Sequence, residues 1–107
     1  MIDLNGMAAR VVAMCEQRLW SMHWTHRGAY LHLESSELIE AVRGKRSRSE
    51  HERVQRVKEE AADVLLVLMS ITENAGVPFE SVVREAQQKL TSLETRPPYP
   101  GEERGQA

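Results

Sequence analysis

The chain has 107 residues, a formal net charge of −2 and a single cysteine, Cys15. A chain of this length supports one domain with a modest core, burying roughly two-thirds of its unfolded surface. The charge lacks the Lys and Arg excess that binding to a nucleic acid polymer requires, and a lone cysteine excludes an intramolecular disulfide and fits a reducing compartment.

Leu4, Ala8, Val11, Cys15, Leu19 and Met22 recur at helical spacing, which predicts a first helix over residues 4–22. His23, Trp24, Thr25, His26, Arg27 and Gly28 break the period and read as a loop. A second helix is predicted from Ala29 to Val42, stopping near Gly44. The basic connection Lys45-Arg46-Ser47-Arg48 complements the negative end of that helix. Ser49 with Glu52 three residues on reads as a capping box for a third helix over about 52–74. That helix has Leu65, Leu66 and Met69 opposite its other apolar stripe, so it is expected to be buried from several directions and to serve as a subunit interface. Gly76 and Pro78 mark a stop and restart. Phe79, Val82, Val83, Ala86, Leu90 and Leu93 then define a fourth amphipathic helix ending at Arg96. From residue 97 to 107, Pro, Gly and charge dominate, predicting a flexible C-terminal tail. No strand period is visible. The expectation is an all-α, single-domain four-helix bundle over 1–96, assembled as an oligomer.

The third helix carries an anomaly. At 100° per residue, Val57, Val64, Val67, Leu68 and Ile71 lie within roughly 80° of Glu60, and Asp63 falls about 60° to the other side. The second helix repeats the arrangement: Leu31, Glu34, Glu37, Leu38, Ala41 and Val42 match Val57, Glu60, Asp63, Val64, Val67 and Leu68 position for position. Desolvating an acid among aliphatic side chains is costly unless a cation or a hydrogen-bond network compensates. Two helices, each with acids at i and i+3, can pool four carboxylates.

Hard oxygen donors suit Mg²⁺ or Mn²⁺, and Mg²⁺ favours a few carboxylates plus substrate phosphates. Di-iron bundles need Glu-x-x-His motifs, and none of His23, His26, His32 or His51 has an acid three residues before it. No zincin motif, Walker loop or nucleophile elbow is present. For a single pair of acids the simple alternative is a solvated face, or an i, i+4 bridge such as Arg56 to Glu60; the matched duplication favours metal binding. His23 and His26 alone are weak transition-metal ligands. His32 points away from the acidic stripe, and Cys15 fits a small core position.

The E-S-S-E of residues 34–37 followed by the E-A-A-D of residues 60–63 resembles the E-x-x-E…E-x-x-D signature of the MazG-like all-α nucleoside triphosphate pyrophosphohydrolases. The continuations L-I-E-A-V and V-L-L-V-L-M are similar too, and the resemblance spans residues 4–96. It implies hydrolysis of a (d)NTP to a (d)NMP and pyrophosphate, with Mg²⁺ held by Glu34, Glu37, Glu60 and Asp63. It also implies a homo-oligomer, a dimer or a dimer of dimers. Glu34 or Glu37 would activate the water. Relatives carry Lys, Asn and Arg late in the last helix for phosphate contacts; Lys89 and Arg96 match two of these, whereas Leu93 stands in place of the Asn. The short form also resembles phage-borne members acting on purine deoxynucleotides, whose setting would be the host cytoplasm.

Trp20 and Trp24, with His23 nearby, are candidates to stack on a nucleobase; the alternative is packing in the core or an interface. Met1-Ile2-Asp3 has no basic n-region, and the apolar run 64–69 is too short to span a bilayer, so a cytoplasmic location without membrane contact is expected. The competing function is a non-catalytic helical oligomerisation module with exposed acids.

Overall fold

The computed structural model describes residues 1–98. Four helices follow one another: α1 Leu4–Gln17, α2 Trp24–Val42, α3 Glu50–Asn74 and α4 Phe79–Thr95. There is no strand among the described residues. Residues 97 and 98 lie beyond the last helix, and the remainder of the expected flexible tail falls outside the described residues.

The helix boundaries have local causes. Asp3 Oδ1 accepts from the Gly6 amide at 2.9 Å to open α1, and Ser49 Oγ accepts from the Glu52 amide at 3.1 Å to open α3, as the capping box predicts. Pro78 precedes α4 with its φ already helical at −61°. Three helices end alike, each with a left-handed residue that, together with the residue after it, returns two amides to the last turn. At the end of α2, Gly44 (φ 79°) donates to Ala41 O and Lys45 to Glu40 O. At the end of α3, Gly76 (φ 79°) donates to Glu73 O and Val77 to Thr72 O.

The third such ending corrects the expected span of α1. Leu19 takes φ 58°, donating to Glu16 O while Trp20 donates to Cys15 O, so the helix stops at Gln17 instead of continuing to Met22. The expected loop at 23–28 is likewise displaced. His23 caps α2, its Nδ1 accepting from the Thr25 amide at 3.2 Å, and residues 24–28 are helical. The true connection is residues 18–23, tied to the far end of α3 by Asn74 Nδ2 donating to Met22 O at 3.0 Å.

α3 is the central element. It packs against α2, α1 and α4, whereas α2 makes no close backbone approach to α1 or α4. One side of α3 meets the apolar core of Ala8, Val11, Cys15, Met69 and Phe79, with Leu65, Leu66, Leu68, Val82 and Val83 at its margin. The chain turns by 110° between α3 and α4. Asn5 Oδ1 accepts from the Glu80 amide at 3.0 Å, docking the start of α4 on α1. Leu90 and Leu93, expected on the packed face of α4, are instead exposed because this helix extends past its neighbours. The radius of gyration is 16.9 Å, against about 13 Å for a compact domain of this length. Among the described residues, no single helix is long and apolar enough to cross a membrane.

Candidate metal centre

The other side of α3 faces α2, and there the acids meet. α2 presents Glu34 and Glu37 one turn apart, and α3 presents Glu60 and Asp63 in the same relation. One carboxylate oxygen from each of Glu34, Glu37 and Glu60 lies within 4.8 Å of the others, and all three side chains are half-buried. Asp63 is exposed and stands outside this trio, at the edge of the site. It shares with Glu34 a cavity of about 260 Å³ that also reaches Trp20 and Arg27.

The electrostatics follow from burial and like charge. Burial pushes the Glu34 carboxyl above the usual carboxylate range, and Glu37, Asp63 and Glu60 push it further. Glu60 is raised in the same way, by burial first and then by Glu37 and Asp63, with Arg56 opposing. Arg56 is a distant counter-ion: its Nη2 stands 4.0 Å from Glu60 Oε1, and its Nη1 donates to the Lys45 carbonyl. The i, i+4 bridge anticipated from the sequence therefore exists beside the cluster and leaves it under-neutralised. Glu34 Oε2 and Glu60 Oε2 are both buried with no hydrogen-bond partner.

Buried oxygens without donors are expensive. All nearby ligand atoms are carboxylate oxygens, the donor set that divalent hard cations prefer. The residues therefore fit a divalent metal, which Glu34, Glu37 and Glu60 would hold with Asp63 at the rim.

The other residues singled out from the sequence are distributed unevenly. Trp20 is about half exposed, and it lines the hollows beside Glu34. Trp24 is 77 % exposed and stacks on His23 at 5.6 Å, on the outer surface of α2. Lys89 lines a separate groove along α4 with Val77, Ser81 and Glu85. Arg96 is the partly buried C-cap of α4, a helix that does not approach α2.

Arg27 joins the site although its sequence context marks it as loop. Seven residues before Glu34, it falls within about 20° of it on a helix. Only the misplaced start of α2 hid that relation. The residue is 4 % exposed and lines the same hollows as Glu34.

A model of the MazG nucleotide pyrophosphohydrolase domain matches residues 25–98, which takes in α2, α3 and α4 and leaves α1 outside. No curated protein and no solved structure matches the chain. With the match covering more than half of the sequence and carrying both acidic helices, the chain belongs to the MazG nucleotide pyrophosphohydrolase family.

Proposed function

We propose that this protein is a Mg²⁺-dependent nucleoside triphosphate pyrophosphohydrolase that converts a (d)NTP and water to a (d)NMP and pyrophosphate, with Mn²⁺ as an alternative metal. The observation that carries the reading is the convergence of Glu34, Glu37 and Glu60, two of them with a buried carboxylate oxygen lacking any partner. Glu34, Glu37, Glu60 and Asp63 would hold the cation. Bound there, it supplies charge to phosphate oxygens and acidifies water. Glu34 or Glu37 takes the proton of the water that attacks the α-phosphorus, as the bond to the oxygen bridging the α- and β-phosphates breaks. Of the two, the Glu34 carboxyl is raised above its usual range, which matches it better to that proton transfer near neutral pH. Trp20 contributes an aromatic face to the substrate, and Lys89 and Arg96 are candidate phosphate contacts.

The protein acts as a homo-oligomer in this reading. The extended shape, the small set of fully buried apolar side chains and the exposed Ile39, Val42, Val54, Leu90 and Leu93 support a further apolar interface between copies. A cytoplasmic setting, where nucleoside triphosphates are abundant, suits the activity. The test is pyrophosphate release from the eight common ribo- and deoxyribonucleoside triphosphates, with Mg²⁺ and with chelator. Release that requires the metal is expected. Its absence with every nucleotide would leave the oligomerisation module as the better account.

A further inference from the structure

Arg27 is a buried cation without a carboxylate partner among the described residues, an arrangement that is rare because a desolvated charge is costly unless paired. Its surroundings hold the guanidinium in place. Nε donates to Ser21 O at 2.9 Å, and Nη1 donates to Ser70 Oγ at 3.4 Å and toward Cys15 Sγ at 3.8 Å. The Tyr30 ring stands 4.7 Å from its central carbon. None of these bonds uses Nη2. The same side chain walls two adjoining hollows, of about 160 and 260 Å³, that have Trp20, Glu34 and Val67 in common.

Glu34 belongs both to these hollows and to the carboxylate cluster. A nucleotide whose phosphates meet the cluster therefore has an adjacent space with an aromatic face on one wall and a fixed cation on another. We propose that the space bounded by Trp20, Arg27, Tyr30, Glu34 and Val67 receives the nucleobase, and that Arg27 selects bases carrying a ring carbonyl. The proposal rests on the hydrolase reading for its ligand, a nucleotide. The chemistry is set by the guanidinium, which donates hydrogen bonds and accepts none. A carbonyl oxygen satisfies it. Where position 6 of a purine faces the guanidinium, the exocyclic amino group of adenine, also a donor, leaves both groups unpaired, and such mismatches are strongly rejected. Adenine is the common base with no carbonyl.

The test uses inosine and adenosine, which differ at position 6 by a carbonyl against an amino group. Neither has a phosphate, so binding bypasses the acidic cluster and does not depend on turnover. Titration of the full chain, followed by the Trp20 indole N–H in NMR spectra, should show inosine binding at least about tenfold tighter. Arg27→Met should abolish the difference, whereas Arg27→Lys should keep its direction with weaker binding. Equal binding of the two nucleosides to wild type, or an unchanged preference in a folded Arg27→Met, overturns the proposal. So does failure of both nucleosides to perturb Trp20. Should Arg27→Met not fold, the wild-type comparison and Arg27→Lys decide. Pyrophosphate release without a carbonyl preference would sink the base pocket alone, and a preference without any release would sink the hydrolase reading alone.

Discussion

The two sides of α3 are packed on opposite principles. Toward α1 and α4, Met69 is fully buried among Ala8, Val11, Cys15 and Phe79. Toward α2, the same helix presents Glu60 to Glu34 and Glu37, leaving two buried oxygens without partners. The first side gains stability by removing apolar surface from water. The second side gives up stability by crowding like charges. One helix thus joins a region that holds the fold together to a region that the fold has to restrain, and substitutions on its two sides should separate stability from activity.

The largest effect is expected on the acidic side. Glu37→Gln should lower turnover by about 10²–10⁴-fold while leaving the melting temperature unchanged or higher, since Glu37 is the acid that most raises both Glu34 and Glu60. Asp63→Asn should also lower turnover, with a smaller thermal gain because Asp63 is exposed. Wild-type turnover in either variant would remove these residues from the metal site. On the apolar side, Met69→Ala should cost about 2–5 kcal/mol of stability, with turnover per folded molecule nearly unchanged. A loss of turnover without a loss of stability would dissolve the division.

The contrast also has a pH signature. Glu34 and Glu60 are raised in the folded protein, so between the ordinary carboxylate range and their raised values the folded state holds more protons than the unfolded chain. Stability from these two groups is thus highest below that window and declines as pH rises through it. In chelator, the melting temperature of Glu34→Gln minus that of wild type should grow from pH 4 to 7, and saturating Mg²⁺ should reduce the gap. A gap that shrinks with rising pH would contradict the assigned burial of charge.

The smallest effect lies away from both sides. Leu19 is 91 % exposed at φ 58°, a conformation costing a non-glycine residue about 1–2 kcal/mol. Leu19→Gly should stabilise the protein by roughly 0.5–1 kcal/mol after the glycine's greater unfolded-state freedom is deducted, measured by urea denaturation.

That leucine also explains where the sequence misleads. The ends of α2 and α3 were legible because glycine occupies both left-handed positions, and the start of α3 because Ser49 and Glu52 stand at cap spacing. The end of α1 was not, since Leu19 fits the apolar period while adopting a turn that leucine seldom takes. The consequence spreads along the chain: residues 24–28 then look like loop, and the place of Arg27 two turns before Glu34 is hidden. The acidic pairs were legible from phase alone, because helical spacing places each pair on one face whatever the neighbouring turns do. That Lys89 and Arg96 sit on a helix that does not approach α2 was not, because the course of α4 depends on the 110° turn after α3, and periodicity within a helix says nothing about the angle between two of them.

The attachment of α2 has a further consequence. Its backbone approaches α3 alone, and Arg27 fastens its first turns to Ser70 and Cys15. Partial opening of the molecule should therefore begin by lifting α2 away while the α1–α3–α4 core stays closed, exposing its amides to hydrogen exchange ahead of those around Met69. Substrate and metal, gripping both helices at once, would act as a clasp across that seam. Protection of α2 should then track occupancy of the site, even when the core is indifferent to it.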